Sequence, residues 1–342
     1  MTNNNENKEI EMNTYRERAE KVKSISDEDW EKVSKFNRRF VEEFLSESTH
    51  LSKQSQVQYR SALRIFFYWV YETLGDKDLN KIKKKDFMRF QNYLIRRGMS
   101  SNGIKMKRSA ISSLNKYIIN FYEDDDEFMT FRNFVEGVPN PTPNKVYNKI
   151  PLSKEELELI YTTLAEDEEW QILAAIKVLY SSGCRRGEFL QIKKEVVNYE
   201  PLKDKEGNPT NTYKTNSVRA KGKGEQGEIR PLLVDKDAID AIKKWLEVRG
   251  EDDCPYVFVS HHNGNVQQLG LTAPNYWFRE IISDIVGRRI NVHLTRSTRA
   301  THALYDGSDI KAVAKLLSHK DTSTTEKFYD LRDDEDDVFD MF

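Results

Sequence analysis

The chain has 342 residues, 38% of them hydrophobic and 32% charged, which allows a sizeable core and about two to three ordinary domains. Its 54 Lys and Arg stand against 56 Asp and Glu, and the resulting net charge of −2, taken as an average, argues against a nucleic-acid binder. No apolar run reaches the roughly 20 residues of a membrane span, the first residues lack a secretory pattern, and Cys184 and Cys254 are the only cysteines. These features predict a soluble protein of a reducing cytoplasm, and they exclude a disulfide framework and a Cys-rich zinc site.

Residues 1–26 are polar and read as a loose tail. A helical domain is expected over 27–136, and from about 27 to 122 the apolar period is helical. Phe36, Phe40 and Phe44 form one stripe, and Tyr59, Leu63, Phe66, Val70 and Leu74 a second. Phe87, Phe90 and Leu94 form a third, and Ile104, Ile111, Leu114, Ile118 and Phe121 a fourth. Ser52 and Ser55 (or Thr49) offer N-caps, and Gly75 and Gly98 offer stops, so the segment predicts a four-helix module. Its aromatic residues are most simply core.

Charge is concentrated in this module. Residues 51–122 hold fifteen Lys and Arg against four acids, a net of +11, and six of the fifteen are Arg. The run 123–127 is wholly acidic, and residues 330–342 carry a net of −6. A solvated helical surface is the bland reading of such an excess. Its concentration favours a phosphate-facing surface, with Arg60, Arg64, Lys83, Lys84, Lys85, Arg96, Arg97, Lys105, Lys107 and Arg108 as candidate contacts to double-stranded DNA.

Residues 137–151 hold four of the nine prolines and read as a linker, since proline fixes φ and removes a backbone donor. A second domain is expected over 152–329. Ser153 and Glu156 give it a capping-box start, and helices follow to about residue 180. Short strands are expected in 191–234, at VVNYE, TNTYK, VRAKGKG and IRPLLV. Helices resume near 235–249, 273–286, 297–305, 309–318 and 322–329, and 330–342 is an acidic tail. The fold class is mainly α with a small antiparallel β-sheet.

Four segments of the second domain set cations, imidazoles and a tyrosine in a fixed order: Gly183-Cys184-Arg185-Arg186-Gly187-Glu188, then Lys221-Gly222-Lys223-Gly224 ahead of Arg230-Pro231, then His293-Leu294-Thr295-Arg296, then Leu317-Ser318-His319 with Thr324-Thr325 and Tyr329. Each alone is weak. An Arg–Glu pair three apart is usually a surface ion pair, and GKG is usually a flexible turn. The ordered set resembles the tyrosine recombinases of the phage integrase family over about residues 30–330. The resemblance implies two domains, a helical core-binding one and an α+β catalytic one.

It also implies that DNA is cut and rejoined through a 3′-phosphotyrosyl intermediate on Tyr329, without metal or cofactor. Arg185 and Arg296 would clamp the phosphate, with Glu188 in support. Lys223 would protonate the departing 5′ oxygen, with Lys221 as its competitor, while His293 and His319 would assist at the phosphate. Chemistry favours such a set: guanidinium forks bind nonbridging oxygens bidentately, and a tyrosine hydroxyl of pKa about 10 needs cations around it. The sequence has no GxxxxGK[ST] loop and no metal-ligand spacing.

The chain departs from the family pattern at several points. Arg186 and Gly187 stand where an apolar and a small residue are common, Ser297 follows Arg296 where His is common, Arg299 stands where an apolar aromatic is common, Ser318 replaces Gly, and Tyr329 falls one residue late after His319. Arg299 and the shifted Tyr329 motivate an alternative, a recombinase-fold transcriptional repressor that binds DNA without cutting it. A helical interaction protein with accidental motifs is a third reading. Val338, Phe339, Met341 and Phe342 in the tail are candidates for an anchor onto a neighbouring protomer, consistent with self-association on DNA as a dimer or tetramer.

Overall fold

Serine hydroxyls start the N-terminal helices, because the first backbone N–H groups of a helix have no partner within it. The computed structural model describes residues 22, 24–143, 150–220, 228–318 and 322. They form two units, 1–148 and 149–342. In the first, α1 (Asp27–Glu31) is capped by Ser26, α2 (Lys35–Glu47) by Ser34, α3 (Lys53–Leu74) by Ser52 and α5 (Ser101–Phe121) by Ser100. At α4 (Lys84–Arg96) the Asp86 carboxylate takes the N–H of Lys83 instead. Gly75, at φ +62°, ends α3 in a left-handed conformation that a Cβ would oppose.

The expected stripes bury Phe40, Phe44, Leu63, Phe66, Val70, Phe87, Phe90, Leu94, Ile104, Ile111, Leu114 and Ile118 in one core. Phe121 differs: at the last residue of α5 it is 71% exposed. Its place is taken by a non-helical segment, whose Phe128, Phe131, Phe134, Val135 and Val138 close over the core. Aromatic side chains carry large buried areas, so a segment without regular structure can still contribute several kcal/mol (about 2 per ring). The start of the proline-rich stretch is fastened too, because Arg108 donates to the carbonyls of Val138 and Pro139, and Gln91 to that of Pro139.

The second unit begins with α6 (Lys154–Glu166), closed by the Ser153/Glu156 capping box. Arg288 grips the Glu156 carboxylate at 2.8 and 2.7 Å. Next comes α7 (Trp170–Ser182), apolar on nearly every side and therefore central, followed by the single turn α8 (Arg186–Phe189). Strands β1 (Thr212–Ala220) and β2 (Glu228–Asp235) pair antiparallel, and α9 (Lys236–Arg249) follows under an Asp235 cap. A second hairpin, β3 (Val259–His262) and β4 (Asn265–Gln268), precedes the helical stretch α10 (Ala273–Tyr276), a π-turn (Trp277–Ile282) and α11 (Ser283–Val286). Then come α12 (Val292–Tyr305) and α13 (Ile310–Leu317).

The strand expectations need two corrections. VVNYE is not a strand: Lys194–Asn198 is a 3₁₀ turn that places Val196 in the core. The sheet is two separate hairpins, and β3–β4 falls where no strand was expected. Pro231, which has no N–H to give, sits across from the bulge in β1 between Lys214 and Ser217. There the Thr215 hydroxyl accepts the N–H of Leu232. Of the helix expected over 322–329, all but Thr322 lies outside the described residues, as do the tail 330–342 and most of 1–26.

Candidate active site

One glycine organises the centre of the second unit. Gly183 ends α7 at φ +57°, and a Cβ there would come within 2.7 Å of the Leu317 side chain on α13. Only glycine allows both the left-handed turn and the close approach. The carbonyl of Gly183 receives an N–H of Arg296 at 2.6 Å, and the carbonyl of Leu317 receives another. Arg296 is fully buried on α12. Two backbone carbonyls fix the plane of its guanidinium without cancelling its charge.

Two residues after Gly183 the chain reaches Arg185. Its guanidinium donates to Glu188 Oε1 at 3.0 Å, and its backbone N–H to Glu188 Oε2 at 3.1 Å. Glu188 is 2% exposed, and it also receives Arg230 of β2 at 3.2 Å. One buried carboxylate therefore stands between two guanidiniums from different elements. Burial pushes the adjacent Cys184 thiol up to about 12, which leaves it inert as a nucleophile.

Gln191 ties the same region to the hairpin, exchanging hydrogen bonds with the backbone N–H and carbonyl of Arg219 near the end of β1. Lys221 and Lys223 lie in the connection between β1 and β2, outside the described residues, as do His319 and Tyr329. His319 follows Ser318 directly, two residues from the carbonyl that holds Arg296. Ser318 ends α13 at φ +53°, a left-handed position. His293 lies on the first turn of α12, exposed, three residues before Arg296.

Residues 151–335 match the model of the phage integrase family, and residues 36–121 that of its N-terminal SAM-like domain. The chain is 36% identical over 338 residues to the SPbeta prophage-derived recombinase-like protein YomM of Bacillus subtilis, covering 98% of this chain and 99% of that one. The chain belongs to the phage integrase family. A further member, tyrosine recombinase XerA of Thermococcus onnurineus, is 26% identical over 75% of this chain and 87% of its own. The fold matches that of the Tn1549 transposon integrase, solved in complex with transposon right end DNA. There the TM-score is 0.66 at 15% identity, over 90% of this chain and 98% of that one.

Within this family frame, Arg299 has a clear place. It is half-buried, with its guanidinium 5.8 Å from the centre of the Tyr180 ring. Tyr180 in turn shares a hydrogen bond with His302 Nδ1 at 2.8 Å. Burial holds His302 below the ordinary histidine range. The charge that replaces an aromatic residue on α12 is thus taken up on an aromatic face, and Arg296 keeps both carbonyls.

The ten basic candidates of the integrase SAM-like unit separate into two groups. Lys83, Lys84, Lys85, Arg96 and Lys105 are exposed, and so is Arg60, which lies 3.8 Å from Glu42. The other four are engaged in structure. Arg64 donates to Asp27 at 2.6 Å and covers the Trp30 ring. Arg97 stacks on Tyr93 and donates to its hydroxyl. Lys107 is buried, which pushes its ammonium below the usual lysine range. Arg108 binds Gln91 and two carbonyls and covers Phe87. Arg108 nonetheless lines a 550 Å³ groove with Lys105, Lys116, Ser109, Ser112 and Ser113, a surface of cations and hydroxyls. Sequence reasoning gave Arg230 no place among the phosphate-clamping residues and overlooked Gln191. Strand alternation marks Arg230, which shares a face with the buried Leu232 and Val234, whereas nothing in the spacing marks Gln191.

Proposed function

We propose that this chain is a cytoplasmic site-specific recombinase of a prophage or other mobile element. It cleaves and rejoins double-stranded DNA through Tyr329, acting as a dimer or tetramer assembled on the DNA. The observation that carries this reading is that an arginine from α12 is anchored at the end of α7, beside the segment that carries a second arginine. Arg296 is held by the Gly183 carbonyl, and Arg185 stands two residues further along the same chain. A scissile phosphate gains negative charge as a nucleophile attacks, and fixed cations stabilise that charge more than they stabilise the ground state.

In this mechanism the Tyr329 oxygen attacks phosphorus, with its proton accepted through His293. The bond to the 5′ oxygen breaks, and Lys223 protonates that oxygen as it leaves. Arg185, Arg296 and His319 hold the nonbridging oxygens. The 3′-phosphotyrosyl bond retains the energy of the broken phosphodiester, so the reverse attack by a new 5′ hydroxyl restores both the DNA and the tyrosine. Exposed cations of the first unit, Lys83 to Lys85 and Lys105 among them, bind phosphates of the flanking duplex.

Of the departures behind the repressor reading, Arg299 is seated on Tyr180 with the Arg296 contacts kept, and Tyr329 lies outside the described residues. The test is a nicked suicide duplex carrying the sequence that the full chain selects from a random pool. Wild type is expected to form a covalent protein–DNA adduct, and Tyr329→Phe to bind equally without one. Binding by wild type with no adduct would overturn cleavage and leave a DNA-binding protein.

A further inference from the structure

We propose that Arg230 is a positioning residue of the active site, which keeps Arg185 available to the phosphate by sharing the Glu188 carboxylate. This rests on the recombinase reading above and adds a residue to its machinery. Period-two alternation puts Arg230 on the inward face of β2 beside Leu232 and Val234, where an apolar side chain would ordinarily sit. Its guanidinium instead reaches Glu188 of α8. It does so through one nitrogen, while its buried Nε–H meets no acceptor among the described residues. The Arg230 side chain is 17% exposed and that of Arg185 31%, so Arg185 is the more open of the two to a ligand.

The charge balance explains why two arginines are needed. Glu188 is buried and cannot be left without a cation. If Arg185 were its only partner, the pair would be neutral, and every advance of the guanidinium toward a phosphate would strip a buried carboxylate of its counter-ion. With Arg230 present the three groups sum to +1. Arg185 can turn a fork toward the phosphate while Arg230 continues to satisfy Glu188.

The experiment measures cleavage by the full chain on the suicide duplex in two forms, one with an ordinary scissile phosphate and one with a neutral methylphosphonate at that position. Arg230→Met is expected to lower cleavage of the phosphodiester by roughly 10²-fold at unchanged DNA affinity. It should affect the methylphosphonate much less, because less charge develops there. Arg230→Lys, which restores charge but not the fork, should recover part of the rate. Glu188→Gln with Arg230→Met, which restores the net +1, should exceed Arg230→Met alone. Equal losses on both substrates, with no gain in the double variant, would reduce Arg230 to a hairpin prop and overturn the proposal while the recombinase reading stands. A wild-type chain that forms no adduct would overturn both.

Discussion

The arginines of the first unit and those at the end of α7 in the second are held in opposite ways. In the first unit positive charge is abundant, yet much of it is spent on structure: Arg64 on Asp27 and Trp30, Arg97 on Tyr93, Arg108 on two carbonyls and Phe87. In the second unit the cations at the end of α7 are held by partners that leave charge available, while Arg288 is bound to Glu156. Arg296 rests on carbonyls, and Arg185 shares one carboxylate with Arg230. A count of basic residues therefore describes the first unit poorly and the second hardly at all. What matters is whether the partner of a cation is an anion, an aromatic face or a backbone dipole.

The sharpest way to break this contrast is Arg296→Lys. An ammonium retains the charge but cannot reach the Gly183 and Leu317 carbonyls together with a planar fork. Cleavage is expected to fall by roughly 10²–10³-fold, with DNA affinity little changed. Stability should drop by about 2 kcal/mol, since charge-assisted hydrogen bonds are lost in a fully buried place. Suicide-substrate kinetics and urea unfolding measure the two effects. A variant as active as wild type would remove Arg296 from the catalytic cations.

A smaller effect separates the structural cations of the first unit from the available ones. Arg64→Ala should cost about 1 kcal/mol of stability through its lost contact with Trp30, leaving the salt dependence of DNA binding as it was. Lys84→Ala with Lys85→Ala should do the reverse, lowering the slope of log affinity against log salt by about 2 without changing the unfolding midpoint. Both lysines are exposed on the first turn of α4. If Arg64→Ala changes the slope and the lysines do not, the division drawn from their partners is wrong.

The same contrast shows how far the sequence could be read. The apolar stripes of the first unit were legible because a helix repeats every 3.6 residues, whatever it packs against. The closure by Phe128, Phe131 and Phe134 was not, since a segment without period leaves no pattern. The ordered motifs of the second unit fall on Gly183 at the end of α7, on Arg185 and Glu188 at the turn α8, and on Arg296 in α12. Spacing could not reveal that Arg64 and Arg108 face their own unit, or that Arg230 reaches Glu188. Those contacts join residues 30 or more apart in the chain, and they depend on packing.

The smallest expected effect tests whether the second unit gives up stability at the edge of its site. Ser318 occupies a left-handed position at φ +53°, which an L side chain adopts at a cost and glycine does not. Ser318→Gly should therefore stabilise the unit by about 0.5–1 kcal/mol, less the greater entropy that glycine brings to the unfolded chain. The position lies between Leu317, whose carbonyl holds Arg296, and His319. A serine there restricts the backbone after Leu317 more than glycine would. Ser318→Gly is thus expected to raise the unfolding temperature while lowering the cleavage rate slightly, and the two measurements should move in opposite directions. A gain in both would show that the serine serves no purpose at the site.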